Sequence, residues 1–151
     1  MIRIAIGSDH GGITLKKFLL DSLLKEGYEV TDCGTYTADS VNYPYYAFIT
    51  AHKVSVGEAD FGIVICRTGE GVCISANKVK GIRCGIGYNE DVSRLMREHN
   101  NANMIAFGAD FQSPEEALKN THAFLNATFL QGRHQIRVDM ITDYENQHSK
   151  F

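Results

Sequence analysis

Apolar residues arrive along this chain in two alternating rhythms. Ile2-Arg3-Ile4-Ala5-Ile6 is short, mostly apolar and closed by Gly7, the form of a buried strand. Leu15, Leu19 and Leu23, with Phe18, Leu20 and Leu24, then recur at helical spacing until Gly27. Tyr28 to Asp32 predicts a second strand, and Pro44 to about Val56, with proline near its start and Gly57 behind it, a second helix. Phe61 to Cys66 predicts a third strand, followed by the loop Arg67-Thr68-Gly69-Glu70-Gly71 and a short helix from Val72 to about Lys78. Ile82 to Ile86 predicts a fourth strand, Asn89 to about His99 a helix, and Asn103 to Phe107 a fifth strand. Ser113-Pro114-Glu115-Glu116 carries start signals for a helix reaching about Leu130. Arg133 to about Gln147 predicts a last helix, and residues 146–151 are expected to fray, with Phe151 available to dock on a neighbour.

Strands that alternate with helices and are apolar along their whole length imply a parallel sheet covered on both faces. The expected architecture is a three-layer α/β fold in one domain, residues 1–151. Such sheets bind ligands at the carboxyl ends of their strands, so the loops after Ile6, Ile65 and Phe107 are where chemistry is expected. Length and charge narrow the function. With 151 residues, 44% of them hydrophobic, the chain can bury one substantial core. A formal charge of −3 offers no broad cationic surface for nucleic acid. No apolar run approaches the roughly 18 residues of a membrane span, and no signal-peptide pattern opens the chain, so a cytoplasmic protein with no membrane partner is expected.

The loop after the third strand places Cys66 at a strand end and two glycines before a helix, where backbone N–H groups can be aimed at an anion. It is neither a dinucleotide fingerprint, lacking a third glycine at position 74, nor a Walker loop. A thiol so placed is a usable base or nucleophile, although a small buried hydrophobe is the plainer role of any cysteine. Cys33, Cys66, Cys73 and Cys84 form no CxxC pair and are read as thiols. Asp9 and His10 follow the first strand beside Gly11 and Gly12, either as ligand-facing groups or as an N-cap cluster. His99 and Asn100 end a helix, as acid–base group and hydroxyl reader or as a C-cap. Arg133 and Arg137, one turn apart, suit an anion clamp or a solvated basic face. The six histidines show no HxxxH spacing, so neither a metal nor a cofactor is implied.

Seven segments in order then resemble one family. They are Ser8-Asp9-His10-Gly11-Gly12, Asp32-Cys33-Gly34-Thr35, Asp39 to Pro44, Cys66-x-Thr68-Gly69-x-Gly71, Ser75-Ala76-Asn77-Lys78, His99-Asn100, and Gly132-Arg133-His134-Gln135-x-Arg137. Together they resemble the type B ribose-5-phosphate isomerases, a family that includes galactose-6-phosphate isomerases. The resemblance spans nearly the whole chain. It implies a Rossmann-like sheet of five parallel strands and a homodimer or dimer of dimers with active sites built from two subunits. The helix from Arg133 to about Gln147 would contribute to the dimer interface.

The implied reaction converts ribose 5-phosphate to ribulose 5-phosphate through a cis-enediolate. The resemblance makes Cys66 the base and His99 the ring-opening group. The N–H groups of Arg67, Gly69, Glu70 and Gly71, with the Thr68 hydroxyl, form the anion hole. It gives sugar hydroxyls to Asp9 and Asn100, the pocket wall to Tyr43, and the phosphate to His10, Arg133 and Arg137. Another branch uses a glutamate base where this chain has Val72. Two departures stand out: the family usually has glycine at position 67, and its ribose-phosphate members commonly have arginine at position 110. Asp110 beside a phosphate is repulsive by an energy on the order of 1 kcal/mol. Arg67 and Asp110 are therefore expected to pair or trade roles. That leaves as alternatives an isomerase for another sugar or sugar phosphate of allose, galactose or tetrose type, or a non-catalytic sugar-phosphate-binding relative.

Overall fold

The computed structural model describes residues 1–147; the expectation for Phe151 lies outside them. Five strands, β1 (Arg3–Ser8), β2 (Glu29–Asp32), β3 (Phe61–Cys66), β4 (Cys84–Ile86) and β5 (Met104–Gly108), form one sheet in the order β2-β1-β3-β5-β4. All four pairings are parallel. Six helices accompany them: α1 (Ile13–Lys25), α2 (Tyr43–Ser55), α3 (Glu70–Asn77), α4 (Glu90–Glu98), α5 (Pro114–Asn126) and α6 (Arg133–Glu145). This is the expected three-layer, Rossmann-like α/β domain. No described helix is long and apolar enough to cross a membrane.

Alternation along the central strands builds two cores. Ile4, Ile6, Ile63, Ile65, Ile105 and Phe107 face α1, α4 and α5, where Leu15, Leu19, Leu23, Met96 and Phe124 meet them. Ala5, Val64, Cys66, Met104 and Ala106 face the other way, against Ala47, Ala51, Val72 and Ala76 of α2 and α3. Only strands sandwiched this way are apolar throughout. The edge strand β2 alternates exposed and half-buried residues, and all three residues of β4 are half-buried, because an edge has no neighbour on one side.

Several element boundaries differ from the sequence reading, among them β1, which runs on through Gly7 to Ser8. Gly69 takes a left-handed φ of 81°, so α3 begins at Glu70 rather than Val72. α5 ends at Asn126 rather than near Leu130; the chain turns extended at Ala127, and the Leu130 N–H donates to the Glu98 carbonyl at 3.0 Å. β4 starts at Cys84 rather than Ile82, because the Arg83 N–H donates to the Asn103 side chain at 2.9 Å and the Ile82 N–H closes a turn onto Val79.

α6 is attached differently from the others. His134 and Val138 are buried, and Glu145 accepts the Gly81 N–H at 3.0 Å. A cleft of about 400 Å³, lined by Ile82, Met96, Ala102 and Ile141, remains between α6 and the sheet edge.

The larger core carries the fold's main hydrophobic term. Phe124 is fully buried, edge-on to Phe61 at 5.4 Å, with the Arg97 guanidinium over both rings. Phe124→Ala should lower stability by about 3–5 kcal/mol, read as a shifted urea midpoint with an unchanged slope.

Candidate active site

The chain order makes the site's first half. β1 and β3 are adjacent with Ser8 opposite Ile65, and their following helices leave toward opposite faces of the sheet. The Asp9 and Cys66 loops therefore face each other at the switch point where such folds bind ligands. Cys66 is buried, and its Sγ accepts the Gly69 N–H at 3.2 Å. The left-handed turn at Gly69 aims that donor, and a Cβ there would stand 2.9 Å from the Phe107 carbonyl carbon. Thr68 Oγ1 accepts the Glu70 N–H at 3.2 Å, leaving its hydroxyl proton free to donate outward. Val72, one turn into α3, lies fully buried in the core.

Asp9, also buried, accepts the Gly11 N–H at 2.9 Å through Oδ1 and caps the short turn His10–Gly12. The N-cap reading of Asp9 is thus realised at the same strand end as the thiol. His10 Nδ1 accepts the Val41 N–H at 3.2 Å, which leaves Nε2 as the ring's proton-bearing nitrogen. Tyr43, half-exposed at the start of α2, lays its ring against Gly71. Arg67 runs across Gly11 so closely that a Cβ there would stand 2.6 Å from Arg67 Cγ. Its guanidinium reaches Asp110 at 3.7 Å, so the expected pairing of these two residues is present. Among the described residues, no three His, Cys, Asp or Glu side chains group closely enough to hold a metal ion.

The remaining candidates sit at the other end of the sheet. His99 caps the C-terminus of α4, as its plainer reading had it, and its ring stacks on His134 of α6 at 4.2 Å. Asn100 follows, and Arg133 and Arg137 are exposed on α6. The entry to β5 is level with Gly62, four residues before Cys66. At a rise of about 3.3 Å per residue, that entry lies about 13 Å along the strands from the thiol, and His99 precedes it in the chain at the C-terminus of α4. Within one copy of the chain the two groups of candidate residues, two half-sites of the expected active site, are therefore not joined.

Residues 4–141 match the ribose/galactose isomerase family. The chain belongs to that family. Ribose-5-phosphate isomerase B of Escherichia coli is 42% identical over 147 residues, 97% of this chain and 99% of the other. The solved ribose-5-phosphate isomerase B of Clostridium thermocellum superposes with a TM-score of 0.95 at 46% identity, covering 98% of this chain and 100% of its own. That of Mycoplasma genitalium, with ribulose-5-phosphate bound, superposes at 0.93 with 41% identity, over 97% of each chain.

Several residues that shape this isomerase-family site were not singled out from the sequence. Buried Lys16 donates to Asp32 Oδ1 and to the Thr35 carbonyl, both at 2.6 Å. Gly34 and Thr35 in turn bond both sides of Ser8, just before Asp9. At the far end, Arg83 donates to the Asn100 and Asn101 carbonyls, and Arg97 to the Asn101 side chain and the Ala102 carbonyl. A lysine one residue from the Leu15–Leu19–Leu23 stripe was the available signal for Lys16. Arg83 and Arg97 gave none, since their acceptors are backbone carbonyls and, for Arg97, the side chain of Asn101.

The histidine stack makes the docking of α6 sensitive to acid. Burial, then His99, Arg133 and Arg137, hold the His134 imidazole below its ordinary value of 6.5. The neutral ring is favoured in the folded state, so its stabilisation is complete above pH 6.5 and is lost as pH falls through the lowered value. Protection factors, exchange rates corrected for their base-catalysed intrinsic values, should therefore fall in residues 133–145 between pH 7.5 and 5.5 more than elsewhere, and His134→Gln should remove the difference.

Proposed function

We propose that this protein interconverts ribose 5-phosphate and ribulose 5-phosphate, an aldose–ketose isomerisation with Cys66 as the base. The carrying observation is a buried thiol that accepts a backbone N–H, opposite a buried Asp9, in a chain whose relative was solved with ribulose-5-phosphate bound. The Cys66 thiolate would take the proton from C2 of the open-chain aldose, leaving a cis-enediolate with its charge on O1. The thiol then returns the proton to C1 as the O2 proton passes to O1, giving the ketose with nothing gained or lost. The N–H groups from Arg67 to Gly71 and the Thr68 hydroxyl would receive the oxyanion, each such donor lowering the barrier by about 3 kcal/mol. Val72, where another branch of the family carries a glutamate base, has no proton-accepting group and cannot take that role.

Asp9 and Asn100 would read sugar hydroxyls, and Tyr43 would close the wall beside Gly71. His99 would move a proton from the anomeric hydroxyl to the ring oxygen and so open the furanose. His10, Arg133 and Arg137 would hold the phosphate. This assignment draws on both ends of the sheet, so it requires two copies of the chain, paired as a homodimer through α6.

The exposed surface of α6 supports that pairing. At about 100° per residue, Ile136, Met140 and Tyr144 fall in one arc of about 100° together with Arg133 and Arg137. All three apolar side chains are more than half exposed. A partner covering this stripe would receive both arginines with it.

Cys66→Ala should fold normally and lose turnover of ribose 5-phosphate by at least about a thousandfold; a variant keeping most of its activity would remove the thiol from the mechanism. His99→Ala should be similarly impaired. Mixing the two variants after mild dissociation should restore about a quarter of wild-type activity, because half the random dimers would carry one intact shared site. No recovery from demonstrably mixed dimers would show that each chain completes its own site.

A further inference from the structure

The seven arginines of the chain divide by what their guanidinium groups do. Arg3, Arg83, Arg94 and Arg97 each donate hydrogen bonds to protein acceptors. Among the described residues, Arg67, Arg133 and Arg137 show none. Two of these three are the phosphate ligands of the function proposed above. The third stands in the opposite half-site, beside the thiol.

Arg67 is neither loose nor committed. Its stem is seated across Gly11, a position that admits no side chain without displacing it. Among the described residues its ion-pair partner is Asp110, 3.7 Å away, too far for a good hydrogen bond, and both side chains are about half exposed. All five guanidinium donors thus remain available. They lie over the turn that carries His10, whose Nε2–H is also unspent because Nδ1 is occupied by the Val41 N–H. The charges nearby make a cation necessary for any anionic ligand. Asp9, Glu70 and Asp110 follow β1, β3 and β5 within four residues of the strand ends, and Arg67 is the cation in the same loops.

We propose that Arg67 is a specificity-determining residue that leaves Asp110 to bind the substrate's phosphate with His10. Asp110 then competes with the phosphate for the same guanidinium and sets how tightly the sugar phosphate is held. The inference rests on the sugar-phosphate reading above and deepens it. Bidentate geometry suits a planar guanidinium to a phosphate better than to one carboxylate oxygen at 3.7 Å.

The test is steady-state isomerisation of ribose 5-phosphate by Arg67→Met, which keeps an unbranched stem over Gly11, and by Asp110→Asn, with thermal melts to confirm folding. Arg67→Met should raise KM about tenfold while kcat falls less than about threefold. Asp110→Asn should lower KM about threefold by removing the competitor. Inorganic phosphate, titrated calorimetrically, should bind more weakly to Arg67→Met and more tightly to Asp110→Asn by similar factors. Unchanged KM and phosphate affinity in Arg67→Met would overturn the proposal, as would a loss confined to kcat. A KM raised by Asp110→Asn as much as by Arg67→Met would show the pair to be a structural brace. If the wild type does not isomerise ribose 5-phosphate, the reading of the reaction fails, and the phosphate titration still decides the role of Arg67.

Discussion

Strands β1 and β3 run side by side, hydrogen-bonded in parallel with Ser8 opposite Ile65, and their chains leave the sheet toward opposite faces. Two loops are thereby held face to face without either crossing the space between them. One brings a carboxylate and an imidazole, the other a thiol followed by a left-handed turn. The turn at Gly69 is possible because it sits against the backbone of Phe107 and Gly108, where a side chain would collide. The local chemistry of Cys66 thus depends on β5 lying next to β3, a pairing between segments forty residues apart. Adjacency in the sheet, more than adjacency in the chain, makes this half-site.

The two cores are unequal, and the inequality positions helices. The face under α1, α4 and α5 is filled by isoleucine, leucine and phenylalanine, whereas alanines and valines predominate where α2 and α3 pack. Small side chains let α2 and α3 approach the sheet closely. That approach brings the start of α2, with Tyr43, against Gly71 at the start of α3. The wall of the site is a consequence of alanine at positions 47, 51 and 76.

Periodicity reported the elements well because the central strands are sandwiched and therefore apolar throughout, and because caps such as Ser113 and Asn89 bond their helices' free N–H groups as their residue types require. It failed at ends decided by distant partners. Leu130 leaves helical geometry and bonds Glu98, and Ile82 turns back onto Val79. Each side chain proposed for the chemistry was recognisable from its motif, Cys66 and Asp9 also from a strand end. Their supports were harder to read, since Lys16 shows only as a lysine flanking an apolar stripe until Asp32 and the Thr35 carbonyl are brought to its ammonium group. The separation of His99 from Cys66, by contrast, was legible, because His99 precedes the fifth strand and Cys66 ends the third, which are opposite ends of a parallel sheet.

That separation has an electrostatic side. Asp9, Glu70 and Asp110 outnumber Arg67 in the loops at the carboxyl end of the strands, while Arg133 and Arg137, at the other end, have no carboxylate partner among the described residues. Two copies approaching through α6 would set unlike charges opposite one another, which speeds encounter and disfavours the register that pairs like halves. The apolar stripe of Ile136, Met140 and Tyr144 would then supply burial, the non-directional part of the association. A phosphate entering the joined site would replace part of the repulsion among those guanidinium groups with hydrogen bonds to them. The proposed substrate is thus an electrostatic component of the assembled site as well as its ligand.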